Sequence, residues 1–251
     1  MMDITSLSRE RVESELVQSG LNTDEPENRV RLIFAPQKIK DDNFKSACRS
    51  YSQINPDDIK TVVVVESTPG EAEKRLAMPS FKTIETGFGP VNANERLRND
   101  FADEDDDFFI NDNAFDKGST LYQQLPILQT VLDNFSILHI QISDEGPPII
   151  KELAMALQEI LPSRNALLVC CCDLGDQEEI DQITNLLENG NISSLLNRVY
   201  RNKLNIEGFG SFLTGLLVAN KCGLSLQFDT DSGSGSVYSG YAVVENQPIF
   251  G

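Results

Sequence analysis

Thr61-Val62-Val63-Val64-Val65 is the stretch whose reading decides the fold of this chain. Consecutive β-branched residues disfavour a helix and suit a pleated strand. Side chains alternate between the two faces of a strand, so an unbroken apolar run is buried on both sides. Such a strand belongs in the middle of a mostly parallel sheet that carries helices front and back.

Similar short runs lie on either side of it, at Val30–Ala35, Ile137–Ile142 and Ala166–Cys172. Between or after them, helical spacing of apolar residues predicts helices at Asn43–Tyr51, Gln123–Phe135, Pro148–Ile160 and Gln177–Leu187. Gly208–Ala219 reads as a late helix. Strands at Leu224–Phe228 and Val237–Val244 follow, around the turn Ser232-Gly233-Ser234-Gly235-Ser236. The fold class is therefore α/β, a largely parallel sheet flanked by helices on both faces. Leu7, Val12, Leu16 and Val17 mark an amphipathic helix before the polar stretch Asn22–Asn28. Residues 1–28 thus read as a helix and linker packed on the body, and residues 29–251 as a single domain.

The chain carries 21 Lys and Arg against 39 Asp and Glu, a net charge of −18. That balance repels nucleic-acid backbones and anionic membranes, and no basic patch offsets it. It favours cationic partners, basic peptides among them, although solubility alone also accounts for it. No leader-like segment opens the chain and no run approaches the length of a membrane span, so a cytoplasmic location is expected. The cysteines agree. Cys170, Cys171 and Cys172 are consecutive, no CxxC spacing occurs, and buried small residues are the expectation rather than a disulfide or a metal knuckle. The acidic run Asp103-Glu104-Asp105-Asp106-Asp107 lacks the alternating ligands and glycine of a calcium loop and reads as a solvated loop between two helices.

In a parallel sheet, ligands gather beyond the carboxyl ends of the strands. Four segments occupy such places: Ala35-Pro36-Gln37, Glu66-Ser67-Thr68-Pro69, Cys171-Cys172-Asp173-Leu174-Gly175-Asp176 and Gly208-Phe209-Gly210-Ser211. Asp173 and Asp176 can form a carboxylate pair for acid–base work, or serve as a cap and first-turn carboxylate of the next helix. Gly208 to Ser211 leaves backbone N–H groups at a helix start as an anion site, or lets the helix approach the sheet closely. His139, the only histidine, lies mid-strand in Leu138-His139-Ile140-Gln141 and reads as a core or sheet-face residue.

Taken in order, these four segments resemble those of the Memo family, a relative of the class III extradiol ring-cleaving dioxygenases, which carries Ala-Pro-His, Gly-Pro-Ser-His, Ser-Ser-Asp-x-x-His and Cys-Gly there. Glu85-Thr86-Gly87-Phe88-Gly89-Pro90-Val91, Gln124-Leu125-Pro126-Ile127-Leu128-Gln129, and Ser232-Gly233 with Gly240-Tyr241-Ala242 are similar to further family segments. The resemblance runs from about Arg31 to Val244 and implies a Memo or class III extradiol dioxygenase-like fold.

At the family's metal-binding positions this chain has Gln37, Thr68, Asp176 and Phe209. The family's Glu-His-Ser-Leu-Glu reads Gly118-Ser119-Thr120-Leu121-Tyr122, and of the polar set Asp173 remains. Amide, hydroxyl and carboxylate oxygens suit Mg²⁺ or Ca²⁺ rather than iron or copper, and a phenyl ring coordinates nothing. The resemblance therefore implies a non-catalytic protein with no metal and no cofactor. Its cleft, formed by Gln37, Thr68, Ser119, Tyr122, Asp173, Asp176, Phe209 and Gly210, is expected to hold a peptide or small molecule. A peptide presented to a partner enzyme, in peptide maturation or natural-product biosynthesis, is the leading expectation. Two alternatives stand beside it: an enzyme of altered chemistry using Asp173 and Asp176 with or without Mg²⁺, and a subunit that stabilises a paralogue.

Overall fold

The computed structural model describes residues 7–21, 29–68, 75–104, 106–115, 119–163, 165–189, 194, 206–230 and 235–244. The stretch Asn22–Asn28, Gly118 and most of the turn at 232–236 lie outside them. In chain order the main elements are α1 (Arg9–Gln18), β1 (Arg29–Ala35), α2 (Phe44–Ser52), β2 (Thr61–Ser67), β3 (Leu76–Met78), β4 (Thr83–Thr86), β5 (Gly89–Ala93) and α3 (Glu95–Glu104). They continue with β6 (Phe108–Ile110), α4 (Thr120–Val131), β7 (Ser136–Ile142), α5 (Pro147–Ser163), β8 (Ala166–Cys171), α6 (Gln177–Glu188), α7 (Phe209–Lys221), β9 (Leu224–Thr230) and β10 (Val237–Val244).

The valine run lies where its pattern requires. All seven residues of β2 are buried, and the strand is hydrogen-bonded in parallel to β7 on one side and β8 on the other. The sheet runs β4-β5-β7-β2-β8-β1-β10-β9, with β3 and β6 attached beside β7. Its centre, β5 to β1, is parallel. Antiparallel pairs close both ends, β10 and β9 at one and β4 at the other.

Alternation along the strands makes two cores. One face presents Phe34, Val63, Val65, Ile140 and Cys170 to helices α3, α5, α6 and α7. The other presents Ile33, Val62, Val64, Val169 and Cys171 to α1, α2 and α4. Burying each such side chain is worth roughly 1.5–3 kcal/mol, so the β2 register is strongly fixed. Cys170 and Cys171 point to opposite cores, as neighbours in a strand must, and all three consecutive cysteines are free and fully buried. Helix α1 starts at the cap Ser8, whose hydroxyl accepts the N–H of Arg11, and buries Val12 and Leu16 in the second core.

The acidic run departs from its expected setting. Asp103 and Glu104 finish α3, and Asp106 and Asp107 turn directly into β6 rather than linking two helices. Among the described residues, no helix is long and apolar enough to cross a membrane.

Candidate functional site

Parallel strands place the ends of β1, β2 and β8 along one edge, with the starts of α4 and α7 beside them. At the end of β1, the Gln37 backbone N–H donates to Asp173 Oδ1 at 3.0 Å, and the Asp173 N–H donates to Glu207 O at 2.8 Å. Gly208 closes this corner in the left-handed region, φ +75°; a Cβ there would stand 2.6 Å from Gln37 Nε2 and 2.7 Å from Cys171 O. Only glycine tolerates both the backbone angle and the approach. Burial, the largest influence, raises the Asp173 carboxyl above its usual value; the Gln37 N–H opposes this and the Glu207 charge reinforces it.

The second corner joins Ser67, from the strand-end segment Glu66–Pro69, to Glu145, which sequence reasoning passed over. Ser67 donates its hydroxyl to Glu145 Oε1 at 2.6 Å, and the same oxygen accepts the Gly210 N–H at 2.8 Å. The expectation of unoccupied N–H groups at this helix start is therefore corrected for Gly210. A carboxylate of the chain itself takes that N–H, because negative charge is favoured at a helix N-terminus. The close-approach reading also holds, since a Cβ on Gly210 would meet Ser67 Oγ at 2.8 Å and Glu145 Cγ at 3.0 Å.

Glu66 forms the third corner. It is 2% exposed at the end of β2; its Oε2 accepts the Thr120 N–H at 2.9 Å and its Oε1 accepts Gln141 Nε2 at 3.2 Å. His139, on the adjacent β7, brings Nε2 to 3.3 Å from Oε1, but the alignment is not that of a hydrogen bond. The imidazole packs edge-on to Phe115, centroids 4.6 Å apart. Burial alone would raise the Glu66 carboxyl, but the His139 charge and the Thr120 N–H outweigh it and hold it down to about 2. His139 is thus a sheet-face residue, as its mid-strand place predicted, and it has a buried electrostatic partner.

The remaining positions are dispersed. Thr68 is exposed, and its N–H donates to Ile142 O at 2.9 Å. Asp176 is exposed and accepts the Glu179 N–H at 2.9 Å, capping α6. Ser119 caps α4 without a side-chain cap bond, and its buried hydroxyl has no hydrogen-bond partner among the described residues. Tyr122 packs on the second core and Phe209 on the first, so the two rings do not share one apolar wall. The structure brings Gln37 to Asp173, and Gly210 to Ser67 and Glu145; it draws neither Thr68 nor Asp176 into these contacts.

This arrangement does not fit the family's metal. Asp173 already accepts a backbone N–H, Asp176 serves its helix, Thr68 faces solvent, and Phe209 offers no donor. Among the described residues, no three of His, Cys, Asp or Glu are grouped to hold an ion. Two cavities, of about 610 and 450 Å³, lie away from this edge: one is lined by Lys60, Phe88 and Asp133, the other by Arg31, Leu161 and Cys222.

The fold is that of an α/β protein of the extradiol-dioxygenase-like type. The solved structure of uncharacterized protein JW3007 from Escherichia coli K12 matches with a TM-score of 0.50 at 15% identity, over 85% of this chain and 99% of that one. The family model for Memo-like protein matches residues 9–228, and the chain belongs to that family. A MEMO1 family protein of Nitrosopumilus maritimus is 25% identical over 135 residues, 53% of this chain and 49% of that protein. Another, from Thermotoga neapolitana, is 38% identical over 71 residues, 28% of this chain and 25% of that protein. The matched stretches thus span about half and a quarter of these relatives.

Proposed function

We infer that this Memo-family chain is a non-catalytic, cytoplasmic binding protein that holds a peptide at the carboxyl edge of its sheet and presents it to a partner enzyme. One observation carries the reading: the carboxylates at that edge are engaged with backbone N–H groups, Asp173 with Gln37, Glu66 with Thr120 and Glu145 with Gly210. Carboxylates held this way shape a surface instead of moving protons or gripping a cation. Thr68 and Asp176 stay exposed for polar contact, with Phe209 and Tyr122 half-buried at the rim. The net charge of −18 steers basic peptides toward the surface. Among the described residues β9 is paired on one side only, by β10, and that edge offers strand pairing to an extended chain.

Fluorescence titration with basic and neutral peptide libraries tests this. Saturable binding that Phe209→Asp weakens supports it, and failure of every peptide to bind removes it.

A second reading rests on Asp173, whose burial-raised carboxyl suits a general acid. Stoichiometric metal in untreated protein, or turnover of catechol-type or ester substrates lost in Asp173→Asn, would favour an enzyme over the binding protein.

A further inference from the structure

The cavity of about 610 Å³ opens at the opposite edge of the sheet, where the strands begin. Lys60 precedes β2, Ser136 opens β7, and Asn92 of β5 pairs with Ser136. Its volume lies within the range of small-molecule sites, roughly 300–1,000 Å³.

Two phenyl rings, Phe88 and Phe135, line it, each packed on the second core. Arg9 closes one side: its guanidinium donates to Phe88 O at 2.9 Å and stands 4.9 Å from the Phe88 ring centroid. Lys60 and Asp133 also line the cavity, both exposed. Neither makes an ion pair with the other or with any of the described residues, so two opposite charges within one hollow remain unspent. Asp133 follows Leu132, the C-cap of α4, and the negative end of that helix's dipole adds to its pull on a cation. The cavity thus has a cationic pole at Lys60 and Arg9, an anionic pole at Asp133 and the α4 terminus, and aromatic walls.

We propose that this cavity binds a free aromatic α-amino acid as its zwitterion. The carboxylate meets Lys60 and Arg9, the ammonium meets Asp133, and the ring lies against Phe88 and Phe135. The site is on the far edge from the peptide surface inferred above, so either assignment can fail without the other.

Isothermal titration of the full chain with L-phenylalanine, N-acetyl-L-phenylalanine and L-phenylalaninamide tests the proposal. Phenylalanine should saturate one site, with each capped analogue about fivefold weaker or worse, the scale of one solvent-accessible ion pair. Lys60→Met should narrow the gap between phenylalanine and its amide, Arg9 still facing the carboxylate, and Asp133→Asn should narrow the gap between phenylalanine and its N-acetyl form. Both substitutions are at exposed positions, and unchanged melting confirms folding. No saturation by any probe at millimolar concentration overturns the proposal. So does wild-type binding of either capped analogue as tightly as phenylalanine.

Discussion

Glu145 Oε1 lies 2.8 Å from the backbone nitrogen of Gly210 and accepts its N–H, so the loop between β7 and α5 is tied to the first turn of α7 by one carboxylate oxygen. Ser67 donates to the same oxygen from the end of β2. Three elements remote in sequence meet on this atom. Glu145→Ala should therefore cost about 1–2 kcal/mol of unfolding free energy in denaturant titration. Glu145→Gln, which keeps an acceptor but not the charge, should cost about half as much.

Gly210→Ala tests the same corner sterically. Its Cβ would meet Ser67 Oγ at 2.8 Å, Glu145 Cγ at 3.0 Å and Ile150 Cδ1 at 3.1 Å, a crowding worth about 1–3 kcal/mol. Gly87→Ala, where nothing lies within 4 Å, should leave the transition within about 0.5 kcal/mol of wild type.

Glu66 predicts the acid limb of stability. Its carboxyl lies at about 2 in the folded protein against an ordinary value of 4.5. A depressed carboxyl contributes its full stabilisation above pH 4.5 and loses it as pH falls through about 2. The contribution is on the order of 3 kcal/mol. Unfolding free energies measured from pH 2 to 7 should fall less steeply below pH 4.5 in Glu66→Gln than in wild type; parallel acid limbs would contradict this.

Asp176 separates a capping role from a ligand role. The carboxylate accepts the Glu179 N–H at the start of α6, so Asp176→Ala should lower stability by about 1 kcal/mol while Asp176→Asn changes little. Peptide affinity under the binding-protein reading should follow charge instead, and weaken for a basic peptide in both variants.

The centre of the sheet could be read from the sequence because β2 and β8 are continuous apolar runs, and such runs have one stable setting. The strands β3 to β6 escaped notice, being three to five residues long, and the segment Glu85–Val91 proved to be the β4–β5 hairpin. Helix α4 begins at Thr120, before the predicted Gln123, because Glu66 reaches across from β2 to accept the Thr120 N–H; no local pattern encodes that acceptor. The same holds for the site. Parallel topology placed the four segments on one edge in advance. The roles of Glu66 and Glu145 depend on contacts 54 and 65 residues away. Their one local sign is an acidic residue at or just past the end of a buried strand.

Consecutive cysteines on alternate faces give the molecule its own unfolding gauge. Cys48, Cys170, Cys171 and Cys172 are buried, and burial pushes their thiols up, Cys48 to about 12, while Cys222 is partly exposed. Burial raises the Cys222 thiol as well, but its partial exposure should let an alkylating reagent consume that one equivalent first and the other four only at the pace of chain opening. A single fluorophore can thus be attached at Cys222 without mutagenesis.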